Sequence, residues 1–174
     1  LYLEAMDANL YPKPKDVHKY VVYCIDLESG ETIWERVAHE GIPAKPHHIK
    51  NTLASETPCT DGERVYVFAG QTGVLAFTMA GKPVWKASVG TGLDGWGSAT
   101  SVVLHDDLVI VNASVESGAV VALKKTDGSE AWRFEGVKRS WSTPLVAATE
   151  GGAAEVVVSM QGKVFGLDPK TGKK

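Results

Sequence analysis

The sequence predicts an all-β fold, a segment of a β-propeller built from four-stranded antiparallel blades, two of them complete and two incomplete. Three observations carry this. First, four stretches repeat a short apolar strand that closes on a Gly turn: Tyr23 to Gly30, Leu75 to Gly81, Val121 to Gly128 and Phe165 to Gly172. In the first three a Trp stands four residues beyond the Gly, at Trp34, Trp85 and Trp132, and the Gly-to-Gly steps are 51, 47 and 44 residues. Second, an independent mark recurs upstream of the hairpins: Thr57-Pro58, Thr100-Ser101 and Thr143-Pro144 lie 43 residues apart at each step. Third, no window carries the i, i+3, i+4, i+7 apolar stripe of a helix over three turns. Periods of this length in a chain of strands mean propellers or solenoids.

The elements follow in order. The first unit, 1–37, lacks an innermost strand of ordinary form: Leu1–Ala5 is read as a strand, then comes an insertion, then strands at 20–26 and 32–37. The second unit, 55–88, is complete, with strands at 55–60, 64–68, 73–78 and 83–88. The third, 98–134, has strands at 99–104, 108–112, 119–123 and 130–134. The fourth, 142–174, has 142–148, 155–159 and 163–167 and no outermost strand. Arg64–Phe68 and Leu108–Asn112 are β-branched and apolar runs bounded by the turn residues Asp61-Gly62 and Asp106-Asp107. Ser29-Gly30, Ala80-Gly81, Asp127-Gly128 and Thr171-Gly172 are hairpin turns in which Gly supplies the positive φ. Pro58 and Pro144 fall near the start of a first strand, where a missing N–H is tolerated.

Composition narrows the function. With 174 residues the chain can bury a sizeable core, and 22 % charged residues suit a globular domain. The net charge of −3 is spread along the chain with no basic block to neutralise phosphates, which argues against nucleic acid. No run approaches the roughly 18 apolar residues of a membrane span. The chain opens on Leu1 and not on Met, so any targeting sequence is expected to lie outside it. Cys24 and Cys59 fall in strand-like runs of different units and are read as buried free thiols.

Chemistry-bearing motifs are few. There is no Gly-x-Ser-x-Gly elbow to build a triad on Ser98 or Ser142, no phosphate loop opening a helix and no EF-hand pattern in Asp106-Asp107 or Asp127. His47-His48, with Lys50, Asn51 and Glu56, is the densest polar group before an innermost strand. Adjacent His side chains in extended backbone point opposite ways, so no metal site is assigned. His18, His39 and His105 read as isolated surface or turn residues, and Asn112-Ala113-Ser114 as a glycosylation sequon. Trp34, Trp85 and Trp132, one per unit on the fourth strand, are expected to dock each blade against the next. Trp96 and Trp141 precede innermost strands, so their loops should lie at the mouth of the central channel, where rigid scaffolds present contact surfaces. The segment Ala8–Tyr20 is read as a loop between strands.

The strand, frequent Asp, Gly and Trp four later resemble the repeat of pyrroloquinoline quinone (PQQ) propellers. The stretch from His48 to Val67 is similar to bacterial PQQ-binding-like propeller proteins, which are mostly exported. Thr78 and Lys124 depart from the pattern where other repeats have Asp26 and Asp168. The resemblance implies a fold and not a cofactor. Quinoprotein dehydrogenases of this kind use a vicinal disulfide and a Ca²⁺ site, and the chain has no Cys-Cys pair. Outer-membrane assembly lipoproteins share the repeat and bind proteins without any quinone. The resemblance therefore implies a non-enzymatic binding or scaffold propeller, exported or periplasmic, without bound PQQ. Its partner would be a protein or extended polymer met at the channel-mouth loops, with Trp96, Trp141, His48 and Asn51 the partner-facing candidates. Part of a PQQ-dependent oxidoreductase is the alternative, and a sensor or carbohydrate-associated propeller a third.

Overall fold

The computed structural model of the chain describes residues 15–44 and 51–174. The expected strand at Leu1–Ala5, most of the loop Ala8–Tyr20, and His47, His48 and Lys50 lie outside the described residues. Among the described residues thirteen strands form four antiparallel sheets, each built from consecutive strands. The first sheet pairs β1 (His18–Ile25) with β2 (Thr32–Gly41). The second is β3 (Cys59–Thr60), β4 (Arg64–Phe68), β5 (Val74–Thr78) and β6 (Pro83–Ala87). The third is β7 (Val102–His105), β8 (Leu108–Ala113), β9 (Ala119–Lys124) and β10 (Glu130–Glu135). The fourth is β11 (Leu145–Ala148), β12 (Ala154–Met160) and β13 (Lys163–Leu167). The fold is all-β; among the described residues one 3₁₀ turn, Gly70–Thr72, stands between β4 and β5.

Among the described residues three apolar cores lie between the sheets. Val22 packs with Val67, Leu75 and Phe77 between the first and second. Tyr66, Phe68 and Ala76 meet Val109, Val121 and Leu123 between the second and third. Ile110, Val120 and Trp132 meet Val156, Val158 and Leu167 between the third and fourth. The third sheet is covered on both faces, which is why β8 and β9 are near-continuous apolar runs with no alternation.

The innermost strands start later than the sequence predicts, at Cys59, Val102 and Leu145 in place of 55, 99 and 142. The residues ahead of them spend their N–H groups across the gap between sheets. Thr57 N–H donates to Ser101 Oγ at 2.8 Å, and Ser101 N–H donates to Thr143 Oγ1 at 2.9 Å. A backbone donor committed to a neighbouring sheet cannot also join its own ladder. The recurring Thr mark is thus a chain of hydrogen bonds linking three sheets.

The hairpins explain the scattered Asp. Asp26 Oδ1 accepts from the Ser29 N–H at 2.8 Å and the Ser29 hydroxyl at 2.8 Å, and Asp168 Oδ1 accepts from the Thr171 N–H at 2.8 Å. At Thr78 the turn is one residue tighter: Gly81 N–H reaches Thr78 O, whereas Gly30 N–H reaches Asp26 O. Cys24 and Cys59 are free and half-buried, and burial pushes the Cys59 thiol up to about 11. A thiol held protonated in this way is a poor nucleophile at neutral pH.

Candidate functional site

Sheet stacking brings the β2–β3 and β6–β7 connections together with the β4–β5 and β8–β9 hairpins. They border a partly open cavity of about 60 Å³ lined by Tyr20, Glu56, Gly70, Asp94, Ser98 and Glu116, among others. That is room for a few waters and far below the roughly 300 Å³ at which pockets for drug-sized ligands begin.

The chemistry of the cavity is acidic. Glu116, in the β8–β9 hairpin, is 5 % exposed. Burial, with the charge of Glu56 as a smaller contribution, pushes its carboxyl up to about 7 despite a hydrogen bond from Ser98. Glu56 is also raised, by burial first, and it too hydrogen-bonds the Ser98 side chain. Tyr20 is raised by burial and then by Glu56. Ser98 has one hydroxyl proton to donate, so two carboxyl groups on it are best satisfied when one is protonated and the other ionised. Glu56 comes from the connection before β3, whereas Ser98 and Glu116 belong to the third unit; the group therefore bridges two blades.

Three of the sequence-predicted residues meet beside this cavity. Asn51 Nδ2 donates to the carbonyls of Trp96 at 2.6 Å and Ser98 at 3.2 Å. Trp141 Nε1 donates to Gly97 O at 2.9 Å from the other side. Residues 96–98 are held between the connections of the two flanking blades, and the N–H of half-buried Trp96 is turned onto Asp94 Oδ1 at 2.9 Å. Beyond Trp141 lies an open depression of about 440 Å³, lined by Arg139, Trp141, Ser142, Ser159, Met160 and Gln161. The fourth candidate, His48, lies outside the described residues.

Other residues named from sequence do different work. The Trp34 indole N–H donates to Met79 O at 2.9 Å, Trp85 to Lys125 O at 2.8 Å and Trp132 to Pro169 O at 2.7 Å, in each case a hairpin carbonyl of the next sheet. Asn112 of the sequon is 1 % exposed and donates to Ser140 Oγ at 2.6 Å and Ser142 O at 3.0 Å, so no glycan can reach it. His105 pairs with Asp106 at 3.5 Å, and His39 lies against the Tyr20 ring at 5.6 Å. Among the described residues no group of three or more His, Cys, Asp or Glu could hold a metal ion, and no helix is long and apolar enough to cross a membrane. Glu116 escaped the sequence reading. Its one signal is a carboxylate in the Ser- and Gly-rich turn after an unbroken apolar strand, and such a residue ordinarily faces water.

Comparison with known proteins adds the family. The profile described as outer membrane protein assembly factor BamB matches residues 18–174. Among curated proteins none matches. Among solved structures the chain is similar to quinohemoprotein alcohol dehydrogenase from Comamonas testosteroni, with a TM-score of 0.61 and 17 % identity over 88 % of this chain and 31 % of that one. It is similar to BamB from Moraxella catarrhalis, with a TM-score of 0.58 and 14 % identity over 92 % of this chain and 50 % of that one. Quinohemoprotein alcohol dehydrogenase ADHIIG from Pseudomonas putida HK5 gives 0.58 and 15 %, over 88 % and 30 %. The chain thus spans 30 to 50 % of the length of these structures. At such identities the likeness speaks for the β-propeller fold alone.

Proposed function

Since the chain belongs to the family described as outer membrane protein assembly factor BamB, we propose that it forms part of a non-enzymatic binding propeller that meets a protein or extended polymer through its loop face. The observation that carries this reading is the mutual clamping of the connections around residues 96–98 by Asn51 and Trp141. Loops tied to one another lose little entropy when a partner lands on them, which favours a recognition surface. The open depression beside Trp141, with Arg139 and Met160 on its rim, suits an extended segment better than a small enclosed substrate. An exported location goes with this reading, in keeping with the family's outer-membrane description.

The rival reading is part of a PQQ-dependent oxidoreductase. PQQ is a flat polyanion, and a site for it needs basic side chains or a cation facing its carboxylates. Among the described residues the lining of the cavity on the loop face offers the reverse, the buried carboxyl of Glu116, the half-buried one of Glu56 and a third acid in Asp94, with no Lys or Arg. Those residues do not fit the quinone, and no redox step is assigned to them.

Two measurements test the proposal. Titration with PQQ and Ca²⁺, followed by cofactor absorbance and dye-coupled alcohol oxidation, is expected to give neither stoichiometric binding nor turnover; sub-micromolar binding with turnover would overturn it. A photocrosslinking residue at Gln161 in the native host is expected to capture a discrete partner, and one at Lys86 on an outermost strand is not.

A further inference from the structure

The two acids around Ser98 come from different blades. Glu116 and Ser98 belong to the third unit and press on the second: a Cβ built on Gly70 would stand 3.3 Å from Ser98 Cβ and 3.7 Å from Glu116 Oε1. Glu56 reaches the same hydroxyl from the connection before β3. Every other group that faces the pair is acidic or neutral. Asp94 lines the cavity from the β6–β7 connection and Gln71 from the β4–β5 turn. Tyr20 of β1 is raised by burial and then by Glu56, so its phenol stays protonated, and His39 of β2 lies against that ring at 5.6 Å. Arg133 of β10 donates to the Ser117 hydroxyl at 3.0 Å, yet its guanidinium pairs with Glu130 at 2.7 Å. Among the described residues no Lys, Arg or His lines the cavity.

The two acids are not held alike. Glu116 is fixed: its carbonyl accepts from the Gly92 N–H at 2.8 Å, and a Cβ on Gly90 would fall 2.3 Å from that same oxygen. Its hairpin closes on Ala113 O through the Ser117 and Gly118 N–H groups. Glu56 ends a turn that is bonded mostly to itself. Asn51 Oδ1 accepts from the Thr52 N–H at 2.9 Å and from the Ser55 hydroxyl, and Thr52 Oγ1 accepts from the Ala54 N–H at 3.2 Å. Those bonds travel with the turn if it moves. Its ties to the third unit are the Asn51 amide on the carbonyls of Trp96 and Ser98, the Thr57 N–H on Ser101 Oγ, and Glu56 on the Ser98 hydroxyl.

We infer that Glu56 and Glu116, meeting across Ser98, are a proton-dependent latch between the second and third blades: one shared proton closes it, and ionisation of both acids releases the turn at residues 51–57 from the third unit. Two carboxylates facing a single hydroxyl proton, with no cation beside them, repel each other and leave one acid without a donor. The mobile partner relieves this by carrying Glu56 into water. Burial pushes the Glu116 carboxyl up to about 7 in the closed arrangement, against an ordinary 4.5. The closed latch therefore keeps a proton that the open one gives up, and opening is favoured as pH rises from about 4.5 to about 7. The latch works within the chain and needs no partner, so it stands apart from the loop-face reading above.

The test follows hydrogen exchange of the Thr57 amide in the full chain by NMR, from about pH 5 to about pH 7.5, with the intrinsic pH dependence of exchange removed. Protection is expected to fall by up to about tenfold per pH unit and to level off above about 7, because opening releases one proton. The β8 amides, which open only with the whole fold, should stay better protected throughout and also show that each variant is folded. Glu116→Gln, neutral at every pH, is expected to abolish the fall at Thr57. Glu56→Gln should abolish it too, since a single carboxylate then has the Ser98 hydroxyl to itself. Constant Thr57 protection in the unsubstituted chain overturns the inference. A fall matched in size and level by β8 also overturns it, because the pair would then act on global stability alone. A fall that survives either substitution assigns the titration to another group and overturns it as well.

Discussion

The Trp85 ring sits directly on Gly128, 43 residues away, with Cε3 2.6 Å from where a Cβ would stand and the indole N–H 2.8 Å from Lys125 O. Packing and hydrogen bond come from one side chain, so a blade is positioned both in distance and in height along its neighbour. Arg64 adds donors to the carbonyls of Lys125 and Thr126 at the same junction, and Arg36 Nε donates to Gly81 O at 2.7 Å at the junction before it.

Gly128→Ala should therefore cost more than Gly30→Ala. Both positions have φ +75 and share the backbone strain of about 1 kcal/mol. Only Gly128 adds a collision with an aromatic ring, expected to bring the total to about 2–4 kcal/mol. Urea melts of the two variants measure the difference, and equal losses would mean that the ring yields freely.

Trp132→Ala should be the most damaging of the three Trp changes. Trp132 is 7 % exposed, whereas Trp34 and Trp85 are half-buried. Loss of a large aromatic from a packed junction costs about 3–5 kcal/mol, and Trp85→Ala is expected to lose roughly 2–3. Denaturant midpoints rank them; a loss below about 1 kcal/mol at Trp132 would refute the docking account.

Glu116 makes stability fall as pH rises. Burial pushes its carboxyl up to about 7 in the folded chain, from the ordinary 4.5 that holds when the chain is unfolded. Between those values the folded state holds a proton that the unfolded state has lost, so stability is full below about 4.5 and declines until about 7. The whole change is up to about 3 kcal/mol. Glu116→Gln should flatten this limb of the melting-temperature profile, and an unaltered slope would show that Glu116 is not its source.

Asp61 works in the opposite direction at lower pH. Burial alone would raise its carboxyl, but the N–H groups of Arg64 and Glu63, the Tyr66 hydroxyl at 3.0 Å and Lys125 at 3.5 Å hold it down to about 2. Its contribution is present above the ordinary 3.8 and is lost as pH falls toward 2. With solvent reaching the group, about 1 kcal/mol is expected. Asp61→Asn should remove that acid limb in chemical denaturation between pH 2 and 5, and should leave the Glu116 limb intact.

Much of the fold was legible in local chemistry. Gly at a left-handed turn, Trp four residues on and β-branched runs between turns are short-range signals, so β4 and β13 fall where the residues place them. Trp34, Trp85 and Trp132 recur at one spacing along the chain, and each donates its indole N–H to a hairpin carbonyl of the next sheet. What the sequence could not show is which loops touch. Glu56, Ser98 and Glu116 have no common spacing and no motif; they meet because sheets stacked on tryptophans and apolar faces carry their loops into one corner. The same stacking shortens the innermost strands, since Thr57 and Ser101 find acceptors on a neighbour that exists only once the blades are assembled. Strand and turn preferences act over a few residues and are written in order along the chain. Burial of a carboxylate and the capture of an N–H depend on what lies across a gap, and only the packed sheets decide that.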